Sequence, residues 1–147
     1  MIEKIKVFLD TSALLKRYIR EQGSHYVTQF FTPYRQRSRM FVSELTYVEA
    51  LAAFARRSPA PPAATSKAFV ADYQYGMRKI LVDRTIIEQA ALLAQTHKLR
   101  AADAIQLASV LRVAISAPDI LLLTADLEMV IAAQTEGLQV ENPNRYD

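Results

Sequence analysis

Apolar residues along this chain gather into runs of two kinds. Four short runs, at 5–9, 41–42, 80–82 and 120–123, hold bulky or β-branched side chains too closely spaced for one helical face, which is the pattern of buried strands. Each is followed within a few residues by a side chain able to cap a helix and then by a longer stretch of helical periodicity. The spacing predicts helices over 12–20, 24–34, 43–57, 62–75, 85–97, 101–115 and 125–135, with Gly76 and Gly137 placed where helices should stop. The run Ser58-Pro59-Ala60-Pro61-Pro62 has to break the chain, because proline lacks an amide hydrogen and disfavours helix in the residue before it. It reads as a loop between two helices of one domain. Strand and helix therefore alternate, and that rhythm predicts an α/β fold with a mostly parallel central sheet flanked by helices.

Length and composition bound this picture. At 147 residues and 51% hydrophobic, the chain fits a single domain, 1–147, with a core that needs no covalent staple. Cysteine is absent, which excludes disulfides, zinc–thiolate sites and thiol nucleophiles, and only His25 and His97 could offer imidazole. A metal held here would be held mainly by oxygen, which favours magnesium or manganese. Charges interrupt the opening Met1-Ile2-Glu3-Lys4-Ile5-Lys6, so it does not read as a signal peptide. The apolar stretch 104–111 is bounded by Asp103 and Arg112, well short of the roughly 20 residues that span a bilayer. The expectation is a cytoplasmic protein without membrane association.

Net charge is only +3 but unevenly spread: residues 1–80 carry 13 Lys or Arg against 6 Asp or Glu, and residues 81–147 carry 5 against 9. A basic half suggests a polyanionic partner. Arg56 and Arg57, closing the helix before the proline loop, are candidate phosphate contacts. The competing reading has them, with Arg35, Arg37 and Arg39, as solvated surface charges.

Four acids stand where α/β folds collect chemistry. Asp10 ends the first strand, the edge at which open sheets gather ligands, although an Asp there also serves as a helix cap. Glu49 lies among Leu45, Val48, Ala52 and Ala53 at helical spacing, so it sits at or near an apolar face and needs either a partner or an edge reaching water. Glu44, in the first turn, is read as support for the helix dipole. Asp103 is a single acid in the small-residue helix start Leu99-Arg100-Ala101-Ala102-Asp103-Ala104, and Leu121-Leu122-Leu123-Thr124-Ala125-Asp126 repeats the form of the first strand and turn. Four independent caps explain this set less readily than one cluster does.

The series Leu9-Asp10-Thr11-Ser12-Ala13-Leu14, Ser43-Glu44-Leu45-Thr46 through Glu49, Leu99-Arg100-Ala101-Ala102-Asp103-Ala104 and Thr124-Ala125-Asp126 resembles the PIN-domain nucleases, and among them the VapC-type toxins of toxin–antitoxin pairs. The resemblance covers nearly the whole chain, in order. It implies that Asp10, Glu49, Asp103 and Asp126 are catalytic, that Thr11, Ser12 and Thr124 are hydroxyls orienting them, and that RNA is cut in single-stranded or loop regions. It also implies a VapB-like antitoxin partner and a homodimer. Many relatives carry His three residues after the third acid, where this chain has Gln106. Four clustered carboxylates would hold protons or a divalent cation, so Mg2+, or Mn2+, is the expected cofactor. Asp10 and Asp103 are assigned as direct ligands, and Glu49 and Asp126 as ligands or water-orienting groups.

Three rival readings remain. A haloacid-dehalogenase-type phosphatase also opens on a strand ending in Asp but expects a second acid two residues on, where this chain has Ser12. A catalytically silent RNA- or partner-binding module would have no use for all four acids. A metal-free ribonuclease would need two histidines in a catalytic setting, which His25 and His97 lack.

Overall fold

A computed structural model describes residues 2–31 and 39–147. Five strands, β1 (Val7–Leu9), β2 (Met40–Ser43), β3 (Arg78–Ile80), β4 (Leu121–Leu123) and β5 (Gln139–Glu141), form one sheet in the order β3-β2-β1-β4-β5. Every neighbouring pair is parallel. Seven α-helices occupy the described residues: α1 (Thr11–Leu14), α2 (Ser24–Thr28), α3 (Leu45–Arg56), α4 (Ala63–Gly76), α5 (Arg84–His97), α6 (Ala101–Ser116) and α7 (Leu127–Thr135).

The pleat distributes the strand residues to two cores. Phe8, Phe41 and Leu122 point to one face and pack with Ile86, Leu107 and Met129 of the helices α5, α6 and α7. Their neighbours Val7, Leu9, Met40, Val42 and Leu123 point to the other face and pack with Leu14, Phe54 and Phe69 of α1, α3 and α4. With both faces covered, a central strand must be apolar at every position, which is why β1, β2 and β4 appear as unbroken runs. Each such side chain, fully buried, contributes about 1.5–3 kcal/mol before the entropic cost of ordering it.

The departures from expectation are at edges and ends. The run 80–82 marks β3 late: the paired residues are Arg78–Ile80, and Leu81 is largely exposed. β5 was not foreseen, because Gln139–Glu141 contains no apolar run. Both strands pair on one side only, so neither needs the pattern of a buried strand. The helix expected over 12–20 ends at Leu14 and tightens into a 3-10 turn at Leu15–Arg17, where the Tyr18 amide donates to the Leu15 carbonyl. The helix expected over 24–34 stops at Thr28 in the same way, with Phe30 and Phe31 amides reaching back three residues; its last part, with Arg35 and Arg37, lies outside the described residues. Ser43, expected to open a helix, closes β2 instead and accepts the Leu45 amide on its hydroxyl at 3.1 Å. No helix among the described residues is long and apolar enough to cross a membrane.

Candidate active site

From β1 the chain winds outward to β2 and β3, then returns to lay β4 on the other side of β1. The winding reverses between β1 and β4, and in a parallel sheet that reversal opens a crevice at the carboxyl ends of the two strands. The register Leu9↔Leu123 brings the residues that follow, Asp10 and Thr124, to the floor of that crevice, and the Asp10 amide donates to the Leu123 carbonyl at 3.0 Å.

Asp10 is only 4% exposed. Its Oδ1 accepts the Thr11 amide at 2.9 Å, and its Oδ2 accepts the hydroxyls of Ser12 at 2.9 Å and Thr124 at 2.7 Å. Those hydroxyls are fixed in turn, because Ser12 Oγ accepts the Ala125 amide and Thr124 Oγ1 accepts the Asp126 amide. Burial pushes the Asp10 carboxyl up to about 6; the bonds from Thr124 and Ser12 oppose the rise and the charge of Glu49 adds to it. Thr11 acts differently from Ser12 and Thr124. Its backbone serves Asp10, whereas its hydroxyl donates to Glu49 Oε1 at 2.8 Å.

Glu49 is half-buried at the margin of α3, whose buried face is Thr46, Ala50 and Phe54, while its expected apolar neighbours Val48 and Ala52 are exposed. It is therefore an edge carboxylate, held by specific donors. Gln106, only 1% exposed, turns its Nε2 to Glu49 Oε1 at 2.9 Å, to Thr46 Oγ1 at 2.9 Å and to Thr11 Oγ1 at 3.2 Å. Reversing the amide would set its oxygen against the Glu49 carboxylate, so this contact fixes its orientation. The Oε1 atom is buried without a partner among the described residues. The sequence flagged Gln106 only as a departure from a family pattern and gave Thr46 no role. The available signal was spacing: Thr46 and Glu49 are three apart on α3, Asp103 and Gln106 three apart on α6, and each pair shares a face.

Asp103 begins α6, which runs back across the sheet and so starts at the carboxyl edge. It is half-buried, and no described residue donates a hydrogen bond to it. Burial raises its carboxyl to about 6, with further contributions from the charges of Asp126, Asp10 and Glu49, partly offset by Arg100. Asp126 caps α7, its Oδ1 accepting the amides of Glu128 and Met129. Four elements thus bring the four acids within electrostatic reach of one another. Glu44 stands apart, exposed, its Oε2 accepting the Val82 amide at 3.4 Å. Arg56 and Arg57 are not gathered with the acids: they lie about 10 Å along α3 from Glu49, and Arg57 is paired with Glu21 at 3.1 Å. His97 is paired with Glu136, away from the cluster.

Among the described residues, no three Asp, Glu, His or Cys side chains are close enough to enclose an ion by themselves. That donor set still fits a hard cation such as magnesium, which keeps most of its waters and takes one or two carboxylates with substrate phosphate. Asp103 has no donor among the described residues, and Asp10 uses three of about four lone-pair positions, so both have oxygen left to offer.

The sheet is all-parallel and the acids gather at its switch point; the family follows from comparison. The PIN domain model matches residues 7–133, and the chain belongs to that family, whose members are generally nucleases. Its fold is similar to a FitAB complex bound to an IR36 DNA fragment (16% identity, 96% of this chain and 97% of that chain, TM-score 0.65). It is also similar to a toxin–antitoxin complex from Klebsiella pneumoniae (19% identity, 93% and 97%, TM-score 0.65) and to DNA-bound VapBC from Salmonella typhimurium (12% identity, 95% and 98%, TM-score 0.62). No curated protein sequence matches it.

Proposed function

We propose that this protein is a divalent-metal-dependent endoribonuclease and the toxin of a toxin–antitoxin pair. The observation that carries the chemistry is Asp103: a half-buried carboxylate without a donor among the described residues, within electrostatic reach of three other acids at the switch point of the sheet. A cation beside such a group would favour its ionised form. Asp10 and Asp103 would hold magnesium or manganese, which would supply charge neutralisation at the phosphodiester and a more acidic bound water. Thr124 and Ser12 aim the Asp10 carboxylate, while Thr11 and Gln106 hold Glu49 beside the crevice. Glu49 and Asp126 then orient or deprotonate the water that attacks phosphorus in line. Arg56 and Arg57, at the end of the helix that carries Glu49, would contact RNA phosphates beyond the scissile one.

The toxin reading draws on the partners named with the similar structures, which are toxin–antitoxin complexes. A VapB-like antitoxin would suit this site by lying across it and offering a cation to the acids in place of metal. A homodimer in the cytoplasm, as in a two-fold toxin–antitoxin assembly, is part of the same reading. The test is growth of a bacterial host after induced expression. Wild type and Glu44→Gln should arrest growth, Asp10→Asn and Asp103→Asn should not, and co-expression of a cognate antitoxin should restore it. Arrest by soluble Asp10→Asn protein would refute the active-site assignment; harmless wild type that still cuts RNA would refute the toxin role alone.

A further inference from the structure

A second cluster of charge lies at the other end of the sheet. Lys6 precedes β1, Arg39 precedes β2 and Arg78 opens β3; each stands two residues before an apolar side chain, Phe8, Phe41 and Ile80 respectively, that faces α5 and α6. A pleat of period two therefore sends all three cations to that same face. Arg112, late on α6, completes the ring from the opposite side. Together they line a recess of about 420 Å³ whose other walls include Phe41 and Val113 and which has no carboxylate in its lining among the described residues. The nine residues separating Asp103 from Arg112 place this recess about 13 Å along the α6 axis from the acid cluster.

Among the described residues Lys6, Arg39 and Arg78 have no carboxylate partner, and Arg112 is paired with one. Arg39 Nη1 donates to the Lys4 carbonyl at 2.8 Å, and the Arg78 guanidinium lies 5.4 Å from the centre of the Phe41 ring. Arg112 forms a two-pronged pair with Asp83 at 2.9 Å, and Asp83 is itself anchored by accepting the Ile86 amide. Lys6 has no ion-pair or hydrogen-bond partner for its ammonium among the described residues. Three cations without a carboxylate partner, beside the paired Arg112, raise the potential in a recess with partly apolar walls above that of a flat basic surface, because low-dielectric walls concentrate the field. The volume suits a phosphate with an attached nucleoside, and an exposed guanidinium such as that of Arg78 offers a plane on which a base can stack.

We infer that this recess is a phosphate-binding site for a nucleotide, either free or as a backbone unit of RNA engaged at a distance from the acids. RNA as the source rests on the nuclease reading above, whereas phosphate binding itself does not. The test uses the intact chain in EDTA, so that the acid cluster holds no metal. Inorganic phosphate and adenosine 5′-monophosphate are titrated into isotopically labelled protein. Saturable shifts are expected at the amides of Lys6, Arg39, Arg78 and the end of α6. The double variant Lys6→Gln, Arg78→Gln should lose them, and Lys6→Arg with Arg78→Lys should keep them. In a second arm, Asp10→Asn protein binds a single-stranded oligoribonucleotide over a range of salt. If RNA is the source, adding the two Gln substitutions lowers the slope of log affinity against log salt by about 1 per cation removed. An unchanged slope alongside saturable nucleotide shifts supports a site for free nucleotides. Shifts that do not saturate, or that persist in the Gln double variant, would overturn the inference whatever the RNA cleavage assay shows.

Discussion

Asp103 and Gln106 stand one turn apart on α6 and show opposite kinds of incompleteness: the acid has no donor among the described residues, and the amide has more acceptors around its nitrogen than it has hydrogens. An Nε2 with two hydrogens faces three oxygens, so the hydroxyls of Thr11 and Thr46 must arrange their own protons around it. The arrangement holds together only while Glu49 accepts. Gln106→Leu should therefore lower RNA cleavage about 10- to 100-fold, through kcat more than KM, with substantial recovery in Gln106→Asn or Gln106→His. An equal loss in all three variants with unchanged folding would show that the amide does not position Glu49. Asp10 supplies a second prediction. With carboxyls raised to about 6 in the folded chain, Asp10 and Asp103 bind protons more tightly folded than unfolded, so their stabilising contribution is complete below about 3.8, falls as pH rises and is lost above about 6. In EDTA, Asp10→Asn should remove part of that fall and melt higher than wild type above this window, by about 1–3 kcal/mol. Thermal melts on both sides of the window measure it, and a variant less stable than wild type at the higher pH would contradict it. The candidate acids were legible in the sequence because Asp10, Asp103 and Asp126 end an apolar run or start a helix and Glu49 lies among apolar residues at helical spacing. The net of Thr11, Thr46 and Gln106 was not, because it joins side chains 35 to 95 residues apart.

Element identity was readable wherever burial left no choice. β1, β2 and β4 are covered on both faces and announced themselves; β3 and β5 are edges whose residues Arg78, Lys79, Gln139 and Glu141 satisfy the ladder without an apolar run. Helix stops were legible where glycine ends them. At Gly137, with φ of 89°, the amides of Gly137 and Leu138 close onto the carbonyls of Gln134 and Ala133. Gly23, with φ of 84°, meets a different constraint, since a Cβ there would lie 2.5 Å from the Pro143 carbonyl oxygen. That approach, which seats the chain's final turn against the start of α2, is a long-range fact with no local sequence mark. Gly23→Ala should cost about 1–3 kcal/mol through strain and collision together, and Gly137→Ala, with open space around it, only about 1 kcal/mol. Urea midpoints of the two variants test the order, and equal losses would mean that the Pro143 segment moves aside freely.

For the whole molecule, function follows from where the winding of the sheet reverses. Because β4 returns beside β1, Asp10 and Thr124 become neighbours across 114 residues, and the helix starting points of α6 and α7 bring Asp103 and Asp126 to the same edge. Among the described residues, Arg100 is the cation whose charge opposes the rise at Asp103, and none opposes it at Asp10. A divalent metal bound there would resolve this imbalance. Digestion of single-stranded RNA by purified protein in EDTA, followed by restoration of magnesium or manganese, tests that dependence. Cleavage should stop in EDTA and return with either ion for wild type, and should not return for Asp103→Asn; undiminished cleavage in EDTA would contradict the account.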